Sequence, residues 1–503
     1  MHVKKFKEGI QIRSLLKSDA DVYSEQLLES QRLIRKGDNV PKYMLHTQRN
    51  GSGIFFGTKV MTRRGEKKFW QRRQNYFISN SYVSKPCWRD GHVLIIGGSG
   101  TGKSSCIVMP TLEAWNGTIF ALDLKGELKA RWEAIETGKY PAKTLNLTRE
   151  TGDFASYDPF NLLREGGQAD LIQNVRELAL SIIPASRDMN DSDTFWVTAA
   201  QNILAGALLY YFSIGSEFNE ALLAVQSKSL KCLCKKIDDS GMAEAKLFFS
   251  QFNDVDDASD SRIMEGVSAQ LKDATMLFAT DPTVRALLKP SDNMVTWEDL
   301  ATNNIFLYTD ESRLNQFGRV TSLILIQLIR SLERRPEKNS ADGKKLPPLL
   351  LILDEFPRLG RCDPVIEALS TLRSRGVTIC ITTQSLAYLD LIYGMSARKV
   401  IIDNCQYKAV LGIGDADEQQ YFSELVGTVP VLSKSFSTNR DPETGQLSGS
   451  SLHVGENREQ IIFPCDFNNL QDVVLLTPEG FCRVNKLPFY RKLSCTQPIT
   501  IRV

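Results

Sequence analysis

The sequence predicts an α/β protein with a mostly parallel twisted sheet and an all-helical domain inserted into it. Three observations carry that expectation. The apolar run His92-Val-Leu-Ile-Ile96 opens onto the glycine-rich stretch Gly97-Gly-Ser-Gly-Thr-Gly-Lys-Ser104 and then a helical pattern. Apolar runs of strand length recur at residues 118–122, 304–308, 349–353, 377–382 and 408–411, with helical stretches between them. Between about 165 and 295 the strand signals fade, and apolar residues return at three- and four-residue spacing, as at Phe195, Ile203, Leu204, Ala207 and Leu208. The sheet begun at residue 92 therefore resumes after 300.

The first run is the first strand of a βαβ unit, whose second strand ends on Asp123. Its glycines satisfy G-x-x-x-x-G-K-[ST] in the strand-to-helix context that gives the pattern meaning. Backbone N–H groups of Gly97, Gly98, Ser99, Gly100, Thr101 and Gly102, continuing into Lys103, Ser104 and Ser105, can curl around a β-phosphate at a helix N-terminus. Lys103 reaches the β- and γ-phosphates and the Ser104 hydroxyl coordinates magnesium, which makes ATP and Mg2+ the expected cofactors.

Pro347-Pro-Leu-Leu-Leu-Ile-Leu-Asp354-Glu355 reads as a buried strand with carboxylates at its C-terminal end, where parallel sheets bind ligands. Asp354 is the expected magnesium partner, through water. Glu355 is the expected general base, because activating a water needs a carboxylate within hydrogen-bond reach. At the end of the following strand, in Ile381-Thr-Thr-Gln384-Ser385, the Gln384 amide is suited to contact a γ-phosphate or the attacking water. Arg358, Arg361, Arg373 and Arg375 are candidates for an arginine acting on a neighbouring subunit's site. Asp123-Leu-Lys-Gly-Glu-Leu128 either lines the nucleotide cleft or starts a helix.

The chain of 503 residues is 42% hydrophobic and 24% charged, long enough for two or three domains. Its ten cysteines are scattered without zinc spacing, as expected of free thiols in a reducing cytoplasm. The longest apolar stretch, 197–215, is interrupted by Thr198, Gln201, Asn202 and Ser213 and reads as a core helix rather than a membrane span. The first thirty residues have no apolar stretch of signal-peptide length. The four histidines show no ligand spacing, and no nucleophile-and-base set is evident. Residues 337–345 and 433–457, polar and small, read as surface loops.

Charge is distributed unevenly. Residues 1–90 hold 19 Lys and Arg against 8 Asp and Glu, a surplus of 11, whereas the remainder carries a deficit of 9. The densest run is Arg63, Arg64, Lys67, Lys68, Arg72 and Arg73, interleaved with Phe69, Trp70, Tyr76 and Phe77. Such a run suits a solvated face, phosphate contacts with base stacking on a single strand, or an anionic bilayer surface. Four segments result: a basic N-terminal region over 1–75, a P-loop domain split between 76–164 and 296–503, and the helical insertion over 165–295.

Taken together the motifs resemble one family, the coupling-protein ATPases of type IV secretion and bacterial conjugation, of the TraG and TraD kind, related to FtsK and HerA motors. The resemblance rests on Ile96-Gly-Gly-Ser-Gly-Thr-Gly-Lys-Ser104 with Pro110, Leu122-Asp-Leu-Lys-Gly-Glu-Leu128, Ser156-Tyr-Asp-Pro-Phe-Asn161, and Asp193-Thr-Phe-Trp196 leading into Ala199-Ala-Gln-Asn-Ile-Leu204. It continues through Leu353-Asp-Glu-Phe-Pro-Arg-Leu-Gly360, Thr383-Gln-Ser385 with Tyr393-Gly394, Asn404-Cys405 and Gly414-Asp-Ala-Asp417, in the family's order.

The resemblance implies a RecA-like nucleotide domain carrying an all-helical insertion, assembled as a homohexamer with ATP at subunit boundaries. The implied partners are a single-stranded DNA and relaxase nucleoprotein and the components of a type IV secretion channel. Family members usually begin with membrane-spanning helices, and none is read here. The expected location is therefore the cytoplasm, at the inner face of the bacterial membrane, through a membrane-protein partner or a peripheral contact. Two other readings are a soluble HerA- or FtsK-like translocase on duplex DNA and an ATP-binding receptor for secreted protein substrates. The Asp354 to Gly360 stretch and the insertion favour the coupling motor over the first, and Glu355 favours it over the second.

Overall fold

Every side chain from Val93 to Ile96 is fully buried, and the reason lies in what stands on either side of that strand. Leu94 and Ile96 enter one hydrophobic cluster while Val93 and Ile95 enter another, the period-two alternation of a strand covered on both faces. The computed structural model describes residue 37 and residues 39–64, 76–135, 140–148, 150–165, 167–184, 191–250, 258–338, 346–440 and 447–491.

The chain begins its regular structure with β1 (Leu45–His46), β2 (Ile54–Arg64) and β3 (Tyr76–Lys85). β4 (Val93–Ile96) is followed by a π-helical turn (Lys103–Val108), α1 (Met109–Ala114), β5 (Thr118–Asp123) and α2 (Glu127–Glu133). β6 (Ala142–Leu147) and β7 (Ser156–Tyr157) complete the first half.

A helical section comes next: α3 (Asn161–Glu165), α4 (Gly167–Ile182), α5 (Asp191–Ser213), α6 (Phe218–Ser227), α7 (Leu230–Asp239), α8 (Ala243–Leu247), α9 (Ala258–Thr280) and α10 (Pro282–Leu287). It ends at β8 (Met294–Val295), which pairs in parallel with β7, so the section leaves and rejoins the rest of the chain at one point.

The second half runs through β9 (Asn304–Thr309), α11 (Leu314–Glu333), β10 (Leu349–Leu353), a 3-10 turn (Phe356–Leu359), α12 (Asp363–Thr371) and β11 (Val377–Thr383). α13 (Leu386–Tyr393), α14 (Met395–Asn404), β12 (Tyr407–Val410) and α15 (Ala416–Val426) follow. The last elements are β13 (Thr428–Arg440), β14 (Leu447–Gln460), β15 (Asp472–Thr477) and β16 (Gly480–Asn485).

Among the described residues twelve strands form one sheet in the order β1-β3-β2-β16-β15-β12-β4-β11-β10-β5-β9-β6. From β12 to β6 all pairings are parallel, and from β15 to β1 all are antiparallel. The first cluster, on one face, joins Phe120, Leu122, Leu351 and Ile379 to α4, α5 and α11. The second, on the other, joins Ile119, Ala121 and Ile352 to Leu112 and Trp115 around α1 and to Leu128 of α2. Fully burying each such aliphatic side chain contributes about 1.5–3 kcal/mol, which is why these runs cannot stand as loops.

Two features differ from the sequence reading. The boundary drawn at residue 75 falls between the two strands of the β2 and β3 hairpin, which extends the sheet through β16. The two strands carry few charges, but the basic residues that end β2 and continue past it blur the apolar pattern from which a strand pair is read. Residues 433–457, read as a loop, lie almost wholly in the antiparallel arms of β13 and β14. A two-stranded ladder satisfies its backbone between its own arms and needs no apolar periodicity, so Ser, Gly and Asn did not prevent it. Of the basic run, Lys67, Lys68, Phe69, Trp70, Arg72 and Arg73 lie outside the described residues. Among the described residues no helix is long and apolar enough to cross a membrane.

His92, at the root of β4, is a point where this packing can be tested. Its Nδ1 accepts a hydrogen bond from the Ile379 backbone N–H at 2.9 Å, so the ring is neutral. Burial, with nearby Lys85 adding to it, pushes its pKa from 6.5 down to about 4. The unfolded chain takes up a proton below about 6.5 and the folded chain only near 4. Stability is therefore full above the upper value and lost as the pH falls through that window, by about 2–3 kcal/mol at its acid end. Urea unfolding at pH 7 and pH 4.5 should show this drop in the wild type. His92→Asn, which keeps an acceptor and cannot titrate, should flatten it.

Candidate functional site

The turn after β4 is fastened to its neighbours before it turns. Gly97 N–H donates to Thr383 O at 3.3 Å and Gly98 N–H donates to Gly412 O at 2.9 Å. Gly100 and Gly102 have φ of +76° and +101°, conformations that L side chains rarely adopt. A Cβ on Gly97 would lie 2.7 Å from Thr101 Oγ1, and one on Gly102 2.9 Å from Cys106 Sγ. Thr101 Oγ1 donates to Gly98 O at 2.8 Å and stiffens the loop from within. The amide hydrogens of exposed Ser99 and Gly100, and of Gly102, have no partner among the described residues. Loop and helix start thus present donors to an anion, in the geometry that phosphate requires. Ser104 and Ser105 follow in the π-helical turn, and Ser105 O accepts from Phe489 N–H at 2.9 Å.

Lys103 is only 6% exposed. Its Nζ donates to Gly97 O at 2.6 Å and Gly98 O at 3.2 Å and lies 4.0 Å from Glu355 Oε1. Burial lowers its pKa, and the carboxylates of Glu355 and Asp354 oppose that shift. The ammonium thus stands between the glycine loop and the acidic pair.

Asp354 and Glu355 directly follow β10, and β11 runs between β10 and β4, so it separates the acidic pair from the glycine loop. That inserted strand supplies Thr382, whose hydroxyl donates to Asp354 Oδ1 at 2.7 Å and accepts from Glu355 N–H at 2.8 Å. Burial pushes the Asp354 pKa up to about 6, Thr382 opposes it, and the nearby charges of Glu355 and Asp123 add to the rise. Glu355 has φ +50°, the one non-glycine residue with positive φ among the described residues. Its Oε2 accepts from Gln384 Nε2 at 3.1 Å. Lys103, Asp354, Glu355 and Gln384, predicted separately, therefore meet at the C-terminal edge of three adjacent strands.

Asp123, at the end of β5, resolves the alternative left open for its stretch. Its carboxylate accepts from Lys129 N–H at 2.8 Å and Lys125 N–H at 3.3 Å, so it caps the start of α2, while its charge is felt by Asp354. The arginines are placed differently. Arg358 pairs with Glu311, and Arg361 with Asp363 at 3.1 Å. Arg375 donates to Arg335 O and Arg373 is exposed, both before β11, at the end of the sheet opposite the glycine loop. Among the described residues, the guanidinium group of none of the four is bonded to Lys103, Asp354 or Glu355 within this subunit.

Sequence reasoning missed Thr382 as a functional residue. Its signal was position: in Thr382-Thr383-Gln384 the alternation of a strand turns successive side chains to opposite faces, so Thr382 and Gln384 share a side.

The donor set fits a magnesium nucleotide. Open loop amides and a buried ammonium suit phosphate, and Gly100 has nothing within 4 Å of where its Cβ would stand, which leaves room above the loop. A hydroxyl at Ser104 and a buried carboxylate at Asp354 suit a hard divalent cation.

A glycine loop, a lysine at a helix start and an acidic pair across an inserted strand define a P-loop nucleotide-binding protein of RecA-like architecture. Within that class the chain belongs to the Type IV secretory system conjugative DNA transfer family, whose model matches residues 24–498. It is 22% identical over 414 residues to Protein VirD4 of Rhizobium radiobacter, covering 79% of this chain and 57% of that protein. The conjugal transfer protein TraG of Escherichia coli is 23% identical over 477 residues, covering 91% of this chain and 73% of TraG. This chain thus spans little more than half the length of the VirD4 relatives. Among solved structures, the conjugative coupling protein TrwBΔN70 superposes with a TM-score of 0.60 at 18% identity, over 81% of this chain and 87% of that one. TrwB in complex with ADP and Mg2+ superposes at 0.57 and 18% identity, over the same shares.

Proposed function

We propose that the chain is an ATP-driven coupling motor that hydrolyses Mg-ATP and delivers relaxase-bound single-stranded DNA to a type IV secretion channel, working as a homohexamer. The observation that carries the reading is the convergence of Lys103, Glu355 and Gln384 on one edge of the sheet, with a 4.0 Å separation between ammonium and carboxylate. A nucleotide store or a receptor that only binds ATP has no need of a base held there.

In this reading the loop amides and Lys103 grip the phosphates, and Ser104 and Asp354 hold the magnesium ion. The ion, when bound, neutralises charge that develops on the phosphoryl oxygens. Glu355 accepts a proton from the attacking water. Gln384, bonded to Glu355, orients that water or the γ-phosphate and passes the state of the site to α13. The ADP and Mg2+ complex of TrwB supports the choice of nucleotide and metal. Recruitment to the inner face of the membrane, through a partner protein or the basic run, belongs to the same proposal.

Among the described residues no guanidinium group of the four arginines is bonded to Lys103, Asp354 or Glu355, which favours completion of the site by a neighbour. Arg358 and Arg361 follow β10 at the nucleotide edge, so they are the candidates we favour. Specific ATPase activity should accordingly rise with protein concentration and rise again when single-stranded DNA is added. Activity per subunit that stays constant in a sample shown by light scattering to be monomeric would remove the ring from the account.

A further inference from the structure

Glu355 is held in a left-handed conformation that costs of order 1–2 kcal/mol for a residue with a side chain, so something must hold the backbone there. Thr382 anchors its N–H side. On the other side the chain enters the 3-10 turn Phe356–Leu359, where Arg358 N–H donates to Glu355 O at 2.8 Å. The turn is closed at both ends by a single residue from elsewhere in the sequence, Tyr393, the last residue of α13.

The Tyr393 ring lies on the Phe356 ring, with centroids 5.3 Å apart and planes 13° from parallel. Its hydroxyl donates to Gly360 O at 3.0 Å and accepts from Cys362 N–H at 3.2 Å, so both functions of the group are used. Tyr393 is 4% exposed and Phe356 fully buried, so water does not compete for these contacts. Burial raises the tyrosine pKa well above its ordinary value, which keeps the hydroxyl proton in place. At its other end, α13 begins on Ser385, whose hydroxyl accepts from Tyr388 N–H at 3.1 Å. The preceding residue is Gln384, bonded to Glu355. A closed circuit results: Glu355, the turn, Tyr393, α13, Gln384 and back to Glu355.

We propose that Tyr393 is a positioning residue for ATP hydrolysis, clamping the Phe356–Gly360 turn so that the Glu355 carboxylate stays on Gln384 and Lys103. Its contacts are with Phe356, Gly360 and Cys362, none of which is among the residues proposed to hold nucleotide or metal. The circuit also makes α13 a rigid strut, so that a displacement of Gln384 and one of the Glu355 turn are a single motion. The inference rests on the reading that Glu355 is the base.

Tyr393→Phe keeps the ring stack and removes both hydroxyl bonds, and is therefore the variant expected to fold. In steady-state ATPase measurements with single-stranded DNA present it should lower kcat by roughly tenfold and leave KM for ATP within about twofold, because the loss falls on the transition state alone. In the Glu355→Gln background the same change should cost nothing further, since both act through one carboxylate. A thermal midpoint lowered by no more than a few degrees, beside the kcat loss, separates positioning from general destabilisation. Wild-type kcat in Tyr393→Phe, or a loss that appears in KM, or full additivity with Glu355→Gln, would overturn the clamp while leaving the ATPase reading in place. A wild-type chain that releases no phosphate at all would overturn that reading and the clamp with it.

Discussion

Glu355→Gln should lower ATP turnover by roughly a hundredfold to ten-thousandfold while leaving nucleotide affinity almost unchanged. The substitution keeps the side chain's length and its capacity to accept from Gln384, and removes only the ability to take a proton. The left-handed backbone, anchored by Thr382 on one side and the 3-10 turn on the other, is untouched. The variant should therefore accumulate as the ATP-bound form. Equilibrium binding of a fluorescent ATP analogue, measured beside phosphate release, checks both halves. Wild-type turnover would show that another group is the base.

Lys103→Ala should produce the opposite signature. Removing a buried ammonium that stands between the glycine loop and the acidic pair leaves Asp354 and Glu355 close together with no cation between them. Phosphate binding then loses its charge-assisted partner. Nucleotide affinity should fall by about a hundredfold or more and turnover should disappear into the background. Magnesium should rescue little, since the residues proposed to hold it are Ser104 and Asp354 and it would not replace the ammonium that Lys103 loses. Affinity within a fewfold of wild type would mean that the loop amides alone bind the phosphates.

The contrast between these two variants follows from residues that were legible in sequence, and it is instructive which were not. Gly97 to Ser104 was readable because the phosphate-binding turn is local: its strand, its two positive-φ glycines and its helix start lie within about a dozen residues. Asp354 and Glu355 were readable because a strand buried on both faces shows as an unbroken apolar run with a polar end. That Gln384 would touch Glu355 depended on sheet order. The pairing of β11 with both β4 and β10 is set by packing on two faces and by crossovers through helices, and no local spacing encodes it.

Thr382 was missed for the same reason, and Tyr393, singled out only as part of the family resemblance, was given no role. A buried threonine in a β-branched strand and a tyrosine at a helix end each have an ordinary packing role, and only contacts 27 and 31 residues away in sequence give them another. The β2 and β3 hairpin, although Ile54, Phe56 and Val83 are buried in the second cluster, was obscured by the basic residues around its turn, and the β13 and β14 hairpin by composition. In the latter the pairing is carried by main-chain bonds between strands, to which side-chain polarity is a poor guide.

In the proposed motor, hydrolysis at this site is coupled to a nucleic-acid cargo. The most direct test is the rate of phosphate release by the wild-type chain, at a concentration where light scattering shows an assembly, with and without single-stranded DNA and with Glu355→Gln as control. A rate that rises severalfold with DNA and vanishes in the variant is the predicted result. A rate indifferent to DNA that the protein demonstrably binds would contradict the motor.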